Sequence, residues 1–429
     1  MSRTKIDFNT ATALVIANMI GTGVFTSLGY QVIDLQTGFS ILMLWVIGGV
    51  IALCGALVYG EIGSAFPQSG GEYNYLSRLY HPAVGFLSGW VSVTVGFAAP
   101  IAAAAVALGM YVSKIFPSVN SAYLAITVVL VLTTLHATDL KAGSKFQKLF
   151  TTLKILVIIF FIGAGLFSHP AHEISFLPQS TSWAEMLSAP FAVSLVFVSY
   201  AYSGWNASSY IAGELDNPQK NLPRSLLVGT GAVMLMYVLL NFVFLYTVPI
   251  PQLKGFAEVG YLSADKIFGH AAGAFMGLVI ALLLVSTLSA MILTGPRVMQ
   301  SMGRDMQLLG FLTLSNKKGV PYLAVIFQSA IALVLILTSS FSSLITYVGF
   351  TLSLCTFITV AGVFVLRTKF KDIQTQYRTW GYPVTPVIFL ASTGWVMYFI
   401  FKNKPEESLY GLGTVLSGLL VYFIGRKKA

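Results

Sequence analysis

The chain has 429 residues, of which 56% are hydrophobic and only 9% charged, and its mean hydropathy is +0.80. Soluble domains carry about 25% charged residues, so this composition excludes a soluble globular protein and indicates an integral membrane protein. The net charge of +10 would suggest nucleic acid as a partner of a soluble protein, but membrane topology explains it here, and we predict no nucleic-acid partner.

We predict an all-α membrane protein with about twelve transmembrane helices, because apolar runs of about 20 residues recur along the chain. An outer-membrane barrel would instead show alternating segments of about 10 residues. The predicted spans are 10–33, 39–64, 83–110, 121–138, 146–167, 187–212, 224–247, 271–301, 322–339, 342–366, 384–401 and 407–425.

The first span is interrupted at its centre by Gly21-Thr22-Gly23. Glycine is a poor helix former, and unwound backbone at membrane depth is tolerated only where it lines protein or a water-filled cavity. Backbone N–H groups freed at the start of the outer half-helix suit a carboxylate, and the Thr22 hydroxyl adds a donor. By itself, a Gly-x-Gly is more often a close packing contact between helices.

The sixth span carries a second interruption, Tyr200-Ala201-Tyr202-Ser203-Gly204. Its freed carbonyls suit an ammonium group, so the two breaks together fit a zwitterionic amino acid. A matched pair of interrupted spans is the best sequence pointer to a transporter's substrate site. Tyr200 and Trp205 flank this break, and we predict that their rings gate the site; ordinary core packing is the alternative.

The positions of the two breaks also predict an inverted repeat. Spans 1–5 (residues 1–168) and spans 6–10 (169–366) form two halves, and an odd number of spans reverses the orientation of the second. Residues 367–429 add two more spans. No linker separates these parts, so we predict a single integral membrane unit.

Lys154 lies inside the predicted fifth span, where a lone lysine costs roughly 2.5–3.5 kcal/mol at the centre. We predict that its ammonium faces the bundle and occupies the place of a monovalent cation, beside a first-span carbonyl. Snorkelling to the membrane interface is the alternative. The expected hydroxyl partners lie in the eighth span: Ser286, Thr287 and Ser289.

Glu61 and Glu214 end the second and sixth spans at the predicted cytoplasmic side. Both are candidates for an inner gate or for proton transfer, and the alternative is a solvated or arginine-paired carboxylate. The five histidines are scattered, and no Ser/His/Asp arrangement or phosphate loop occurs. We therefore predict no metal, no cofactor and no catalytic residue.

Basic residues predict the orientation in the membrane. With the N-terminus in the cytoplasm, nearly all arginines and lysines between the spans lie inside, as the positive-inside rule requires. Both termini are then cytoplasmic. The lysines left outside are Lys114, Lys254, Lys266, Lys402 and Lys404.

Motifs along nearly the whole chain resemble the amino acid–polyamine–organocation superfamily and, within it, the L-type amino acid transporter-like branch and its bacterial permeases. Each motif by itself is weak, but their order and spacing together are specific. The motifs are Gly21-Thr22-Gly23-Val24-Phe25, Tyr59-Gly60-Glu61-Ile62-Gly63, Pro67-Gln68-Ser69-Gly70-Gly71-Glu72-Tyr73, Phe146-Gln147 with Phe150-Thr151 and Lys154, Gly204-Trp205-Asn206 with Asn217-Pro218 and Lys220-Asn221-Leu222-Pro223-Arg224, and Arg304-Asp305 with Gly319-Val320-Pro321-Tyr322.

The resemblance implies a fold of five plus five inverted helices with two more. It implies carboxylate binding at Thr22 and Gly23 and amino-group binding by backbone at Ile20 and around Tyr200–Tyr202. It implies that Lys154 replaces a sodium ion. Tyr200 departs from the family pattern, because the branch commonly has a phenylalanine gate there.

Cys54 and Cys355 both lie in apolar spans, so no extracellular disulfide is available. The loop between spans 3 and 4, where animal members bind an ancillary glycoprotein through a disulfide, has no cysteine. The resemblance therefore indicates a stand-alone carrier in a prokaryotic plasma membrane.

We expect sodium-independent transport of neutral amino acids by alternating access, as an exchanger (antiport) or a uniporter. Proton-coupled symport, with Lys154 or Glu214 titrating, is the second hypothesis. A membrane enzyme and an ion channel are more distant ones: the chain shows no cluster of intramembrane nucleophiles, and a channel needs no paired half-helices.

Overall fold

The computed structural model describes residues 5–138, 143–168 and 174–425, with the side chains of 143–148 left outside the description. Within these residues ten helices are long and apolar enough to span a membrane, a bent pair makes an eleventh span, and Tyr322–Thr338 is a shorter apolar helix. These segments coincide with the twelve predicted spans. The prediction of an all-α membrane fold is confirmed.

The first half of the chain forms α1 Phe8–Met19, α2 Gly23–Gln31, α3 Gly38–Ala65, α4 Gly71–Leu79, α5 Pro82–Val91, α6 Ala98–Ile115, α7 Ser121–Thr138 and α8 Gly143–Leu166. A π-helical segment, Ser92–Phe97, joins α5 to α6. We call the end of the bundle where α1 begins and α3 ends the inner end, and the opposite end the outer end.

The second half forms α9 Ser180–Met186, α10 Ala189–Tyr202, α11 Pro218–Thr247, α12 Ile250–Leu253, α13 Val259–Phe268, α14 His270–Asp305, α15 Tyr322–Thr338, α16 Phe341–Lys369, α17 Val384–Asn403 and α18 Pro405–Gly425. The 3-10 segments Ala207–Glu214 and Gln307–Thr313 follow α10 and α14. The predicted limit of the second half at residue 366 falls in the last turn of α16; the division into halves stays a prediction.

Side-chain caps fix where the central helices begin. The Asp7 side chain accepts a hydrogen bond from the Thr10 N–H at the start of α1, and Ser188 accepts one from the Phe191 N–H at the start of α10. The first N–H groups of a helix have no partner within it, so each cap satisfies one of these donors. They set the entry of the two broken spans into the bundle.

The centre and the edge of the bundle differ in burial. In the span Pro82–Ile115, 83% of the apolar stretch is buried, against 22% in α17 and 17% in α18. The two C-terminal helices therefore lie at the periphery, facing the surroundings with most of their apolar surface. The broken spans, in contrast, lie inside, where α1 packs against α11 and α2 packs against α10.

Two long connections fold over the outer end. The Glu185 carboxylate of α9 accepts hydrogen bonds from the Thr37 backbone N–H at 3.3 Å and from the Thr37 hydroxyl at 2.6 Å, where α3 begins. Between α12 and α13, the Gly255 N–H donates to the Gly29 carbonyl of α2 at 2.8 Å. These connections hold the outer ends of α2 and α3 in place.

Candidate substrate site

The first break lies where the sequence predicts it. α1 ends at Met19, Ile20 is extended with a ψ of 92°, and α2 begins at Gly23. Thr22 is the residue before α2, and its side chain makes no capping hydrogen bond to that helix. The Thr22 hydroxyl is therefore available to a group on the other side of the break.

The second break begins later than predicted. α10 continues through Tyr202, and the chain leaves the helix at Ser203, with Gly204 at a φ of +92°. Within this break, Gly204 is the residue with a positive φ, which a side chain would oppose, and α10 stays helical through Tyr202. The predicted interruption, Tyr200 to Gly204, therefore begins three residues too early. Tyr200, Ala201 and Tyr202 form the last turn of α10, where the Tyr200 carbonyl accepts a hydrogen bond from the Ser203 N–H at 3.0 Å and the final carbonyls have no partner four residues on.

The two breaks touch each other through glycines. A Cβ on Gly23 would lie 2.5 Å from the Ala201 Cα, and a Cβ on Gly204 would lie 2.9 Å from the Asn18 carbonyl oxygen. Each distance is shorter than real Cβ contacts. The opposing atoms belong to backbone, so they cannot move aside as a flexible side chain could. The start of α2 thus faces the end of α10 with no side chain between them.

Hydroxyl groups join the breaks. The Thr22 Oγ1 and the Tyr200 Oη share a hydrogen bond of 2.9 Å, and both residues are buried. Tyr237, in the middle of α11, directs its one hydroxyl proton at the Met19 carbonyl at 2.5 Å and the Ala201 carbonyl at 3.2 Å. Polar groups of both breaks are therefore hydrogen-bonded within the chain.

Lys154 reaches the first break from α8. Its Nζ donates to the Ile20 carbonyl at 3.3 Å and to the Thr287 hydroxyl at 2.8 Å, and only 3% of the residue is exposed. Burial of this depth is incompatible with snorkelling to the interface. The predicted contacts with a first-span carbonyl and with Thr287 are both present. Gly21 faces the same threonine: a Cβ added to Gly21 would lie 3.8 Å from the Thr287 methyl carbon.

Two of the three predicted partners of Lys154 are wrong. Successive residues of a helix are rotated by about 100°, so Thr287 faces α8 while its neighbours on α14 point elsewhere. The Ser289 hydroxyl shares a hydrogen bond of 2.8 Å with His136 Nε2 on α7. The buried Ser286 hydroxyl has no hydrogen-bond partner among the described residues.

Aromatic rings close the outer end above the site. Tyr30, near the end of α2, lies between Phe197 of α10 and Phe341 of α16, with ring centroids 5.6 and 5.5 Å apart. Stacked pairs at these distances are favourable beyond the area they bury. The predicted gate ring Tyr200 is buried deeper, at the level of the breaks, where its hydroxyl already bonds to Thr22.

Trp205 and a buried carboxyl close the inner end. The Trp205 ring packs edge-on against Tyr59 of α3 with centroids 4.7 Å apart. The Tyr59 hydroxyl donates to Glu72 Oε1 at 2.6 Å, Asn206 Nδ2 donates to the same oxygen at 3.0 Å, and the Ser88 hydroxyl donates to Oε2 at 3.2 Å. One carboxyl group thus connects α3, α4, α5 and the second break.

The two predicted inner-gate carboxylates differ. Glu61 is buried and accepts two hydrogen bonds from Arg367 of α16, at 2.8 and 2.9 Å, and one from the Thr379 N–H at 2.8 Å. The Glu214 side chain is exposed. Its backbone carbonyl accepts a hydrogen bond from the Ile6 N–H, just before α1, at 2.9 Å. Glu61 is therefore the arginine-paired carboxylate and Glu214 the solvated carboxylate that were predicted as alternatives to a gate.

Sequence reasoning missed Tyr237 and underrated Glu72. Tyr237 is one aromatic residue in an apolar helix, and nothing in the sequence distinguishes it from a packing residue. The sequence does single out Glu72, because this carboxyl group directly follows Gly70 and Gly71 at the start of the short helix α4. Its burial depends on contacts from three other segments, which no local pattern reveals.

A family model of amino acid permeases matches residues 6–420. The chain belongs to the amino acid permease family. The permease is 28% identical to the large neutral amino acids transporter small subunit 2 of Mus musculus, over 98% of this chain and 81% of that protein. It is 28% identical to the b(0,+)-type amino acid transporter 1 of Homo sapiens, over 96% of this chain and 86% of that protein. It is 26% identical to the Asc-type amino acid transporter 1 of Mus musculus, over 98% of this chain and 81% of that protein.

Family membership makes this permease a transporter and not an enzyme. It also confirms the superfamily that the motifs indicated.

The contact between the breaks predicts the effect of a single methyl group at Gly23. Gly23→Ala forces apart the backbones of α2 and α10, because the new Cβ meets Ala201 Cα. We expect its unfolding midpoint in detergent to fall by several degrees. Gly231→Ala in α11 is the control, since its Cβ meets no atom within 4 Å. Equal midpoints for the two variants would contradict the contact.

The ion pair at the inner end predicts a second loss of stability. Arg367→Gln leaves the buried Glu61 carboxylate without its counter-ion, and removing one partner of a buried pair costs roughly 3 kcal/mol. We expect a lower unfolding midpoint in detergent, measured by fluorescence-detected size exclusion after heating. Arg224→Gln, on the exposed surface of α11, is the matched control and is expected to melt with the wild type.

Proposed function

We propose that this permease moves neutral amino acids across the membrane by alternating access and without sodium. The observation that supports this most directly is the arrangement of the breaks. The first N–H groups of α2 and the Thr22 hydroxyl are donors, and the last carbonyls of α10 are acceptors, across a contact between Gly23 and Ala201. Donors suit a carboxylate and acceptors suit an ammonium group.

In this proposal the α-carboxylate binds to Thr22 and to the N–H groups that begin at Gly23. The amino group binds to carbonyls of Ile20 and of the last turn of α10, Tyr200 to Tyr202. The glycines are required because a substrate bound by backbone needs both chains close to it. The neutral class of side chain is supported by relatives whose names specify large neutral amino acids.

We assign to Lys154 the position of a coupling cation. A fixed ammonium at the Ile20 carbonyl supplies the positive charge that braces the first break, so a dissolved monovalent cation has no role there. Its Thr287 hydrogen bond supports the same assignment.

Alternating access requires one gate at each end of the bundle. The outer gate in this proposal is the stack of Tyr30, Phe197 and Phe341. The inner gate consists of Trp205 on Tyr59 together with the hydrogen bonds of Glu72. Opening one gate while the other stays closed exposes the breaks to one side at a time.

We further propose a stand-alone carrier in a prokaryotic plasma membrane, with both termini in the cytoplasm, so that the inner end faces the cytoplasm. Two observations support this. Basic residues concentrate at the inner end. Cys54 and Cys355 are both buried in helices, where a disulfide to an ancillary subunit cannot form.

The proposal predicts the behaviour of Lys154→Ala. Loss of the ammonium leaves the Ile20 carbonyl without its donor, and we expect uptake of radiolabelled neutral amino acids into proteoliposomes to fall at least tenfold. Wild-type uptake is expected to be unchanged when choline replaces sodium. Lys266→Ala, on the exposed face of α13, is the control for loss of a lysine. Sodium-dependent wild-type uptake would contradict the assignment of Lys154.

Proton coupling is the second candidate, and Glu72 is the observation that favours it. The carboxyl group is 4% exposed and contacts neutral donors, with Tyr59, Tyr75, Tyr210 and Cys355 as the titratable groups around it. Burial raises the pKa of the Glu72 carboxyl above its usual value of 4.5, although its three hydrogen bonds act in the opposite direction. Proton binding therefore favours the closed inner gate.

The sign of the pH effect follows from this shift. Because the closed gate raises the pKa of Glu72, its stability relative to the open gate is greatest below pH 4.5 and declines as pH rises above that value. We expect amino acid release from proteoliposomes to accelerate as the pH on the inner side of the protein rises above 4.5, because Glu72 then loses the proton that stabilises the closed gate. Glu72→Gln, which resembles the neutral acid, is expected to remove this dependence. If an imposed pH gradient drives concentrative uptake in Glu72→Gln as in the wild type, Glu72 is not the proton site.

A further inference from the structure

We propose that this permease also catalyses net transport: after releasing an amino acid, it returns without a counter-substrate because its own side chains occupy the hydrogen-bonding groups of the two breaks. This inference rests on the proposed function and concerns the mode of transport at the same site. Tyr200 is the residue that makes it specific to this chain.

The hydroxyl groups of Thr22 and Tyr200 are hydrogen-bonded to each other, and either oxygen can be the donor. The two oxygens are 2.9 Å apart, and both residues are buried, at 2% and 6% exposure. When a substrate carboxylate accepts the Thr22 proton, Tyr200 cannot accept it. A hydrogen bond to an ionised acceptor is roughly twice as strong as one between neutral groups, so a bound amino acid displaces Tyr200 from Thr22. When the amino acid leaves, Tyr200 takes its place.

The carbonyls of the breaks are covered in the same way. Tyr237 directs its hydroxyl at Met19 and Ala201, and Lys154 donates to Ile20. These contacts come from α11 and α8, outside the broken spans. The carbonyls on both sides of the Gly23–Ala201 contact therefore have donors that do not depend on substrate.

Both ends of the bundle are closed while the breaks are hydrogen-bonded to the chain's own side chains. This is the state through which a substrate-free carrier would return to the other side of the membrane. The outer stack of Tyr30, Phe197 and Phe341 and the inner contacts of Trp205 and Glu72 are present in the same structure as the Thr22–Tyr200 bond. A carrier that closes on unpaired buried polar groups pays a desolvation cost for each. Here Thr22 and Ile20 each have a partner, and the Met19 and Ala201 carbonyls share the Tyr237 proton. This lowers the cost, so the substrate-free carrier can pass through the closed state.

An obligatory exchanger would lack this route, because only a bound substrate would form hydrogen bonds with the polar groups of its two breaks. A phenylalanine at position 200 has no hydroxyl to offer Thr22. Tyr200→Phe is therefore expected to convert the permease toward exchange: the substrate-free return is slowed, while the substrate-bound step keeps the Thr22–carboxylate bond.

The experiment compares two fluxes from proteoliposomes preloaded with a radiolabelled neutral amino acid. Efflux into buffer without amino acid measures net transport, and efflux into buffer with unlabelled amino acid measures exchange. For the wild type we expect net efflux within about tenfold of exchange. For Tyr200→Phe we expect the ratio of net efflux to exchange to fall about 2- to 10-fold, the range that corresponds to loss of one neutral hydrogen bond.

Tyr347→Phe is the matched control. The Tyr347 hydroxyl also shares a side-chain hydrogen bond with a threonine, Thr414 of α18, at 2.7 Å, but this pair lies between α16 and α18, away from the breaks. Its ratio of net efflux to exchange is expected to equal that of the wild type. A size-exclusion profile of Tyr200→Phe that matches the wild type reports that the variant is folded.

The outcomes separate the inference from the proposed function. If the wild type moves no amino acid in either assay, the proposed function fails. If the wild type exchanges but its net efflux is no faster than leak from protein-free vesicles, transport stands and the net mode is overturned, whether or not Tyr200→Phe folds. An unchanged ratio in a Tyr200→Phe protein that exchanges normally would also overturn the role of Tyr200.

Discussion

The direct contact between two stretches of backbone is the constraint on which the rest of this structure depends. Gly23 meets the Cα of Ala201, and Gly204 meets the Asn18 carbonyl, so neither break has room for a side chain at the crossing. Interrupted backbone inside a membrane protein is stable only where its polar groups find partners. Tyr237, Lys154 and the Thr22–Tyr200 pair provide these partners.

These partners come from different parts of the bundle, and this explains the large burial of its centre. Lys154 approaches from α8 and Tyr237 from α11, while the aromatic stack above and the Glu72 cluster below exclude solvent from the same region. An ammonium or a hydroxyl in such an environment is strongly bound to its acceptor because water does not compete. The peripheral helices α17 and α18 contribute little to this centre; their Phe389 contact with Trp205 is an exception.

Much of the architecture could be predicted because membrane insertion imposes strong local rules. The twelve apolar runs, the break at Gly21 to Gly23 and the buried position of Lys154 each follow from length, helix propensity or the cost of a charge in hydrocarbon. The second break was misplaced by three residues, since helix propensity does not reveal that Gly204 alone needs a positive φ. Ser286 and Ser289 were misassigned because the sequence places them in the same helix as Thr287 but does not show which neighbouring helix each one faces.

The sequence by itself determined that this is a multi-span membrane protein with paired interruptions and one buried lysine, because each of these is a property of a single segment in hydrocarbon. The tertiary structure decided which groups occupy those interruptions. The Thr22–Tyr200 bond joins residues 178 positions apart, and the Glu72 carboxyl collects donors from three other segments. Such contacts depend on how helices rotate and pack against each other, and no local pattern encodes that rotation.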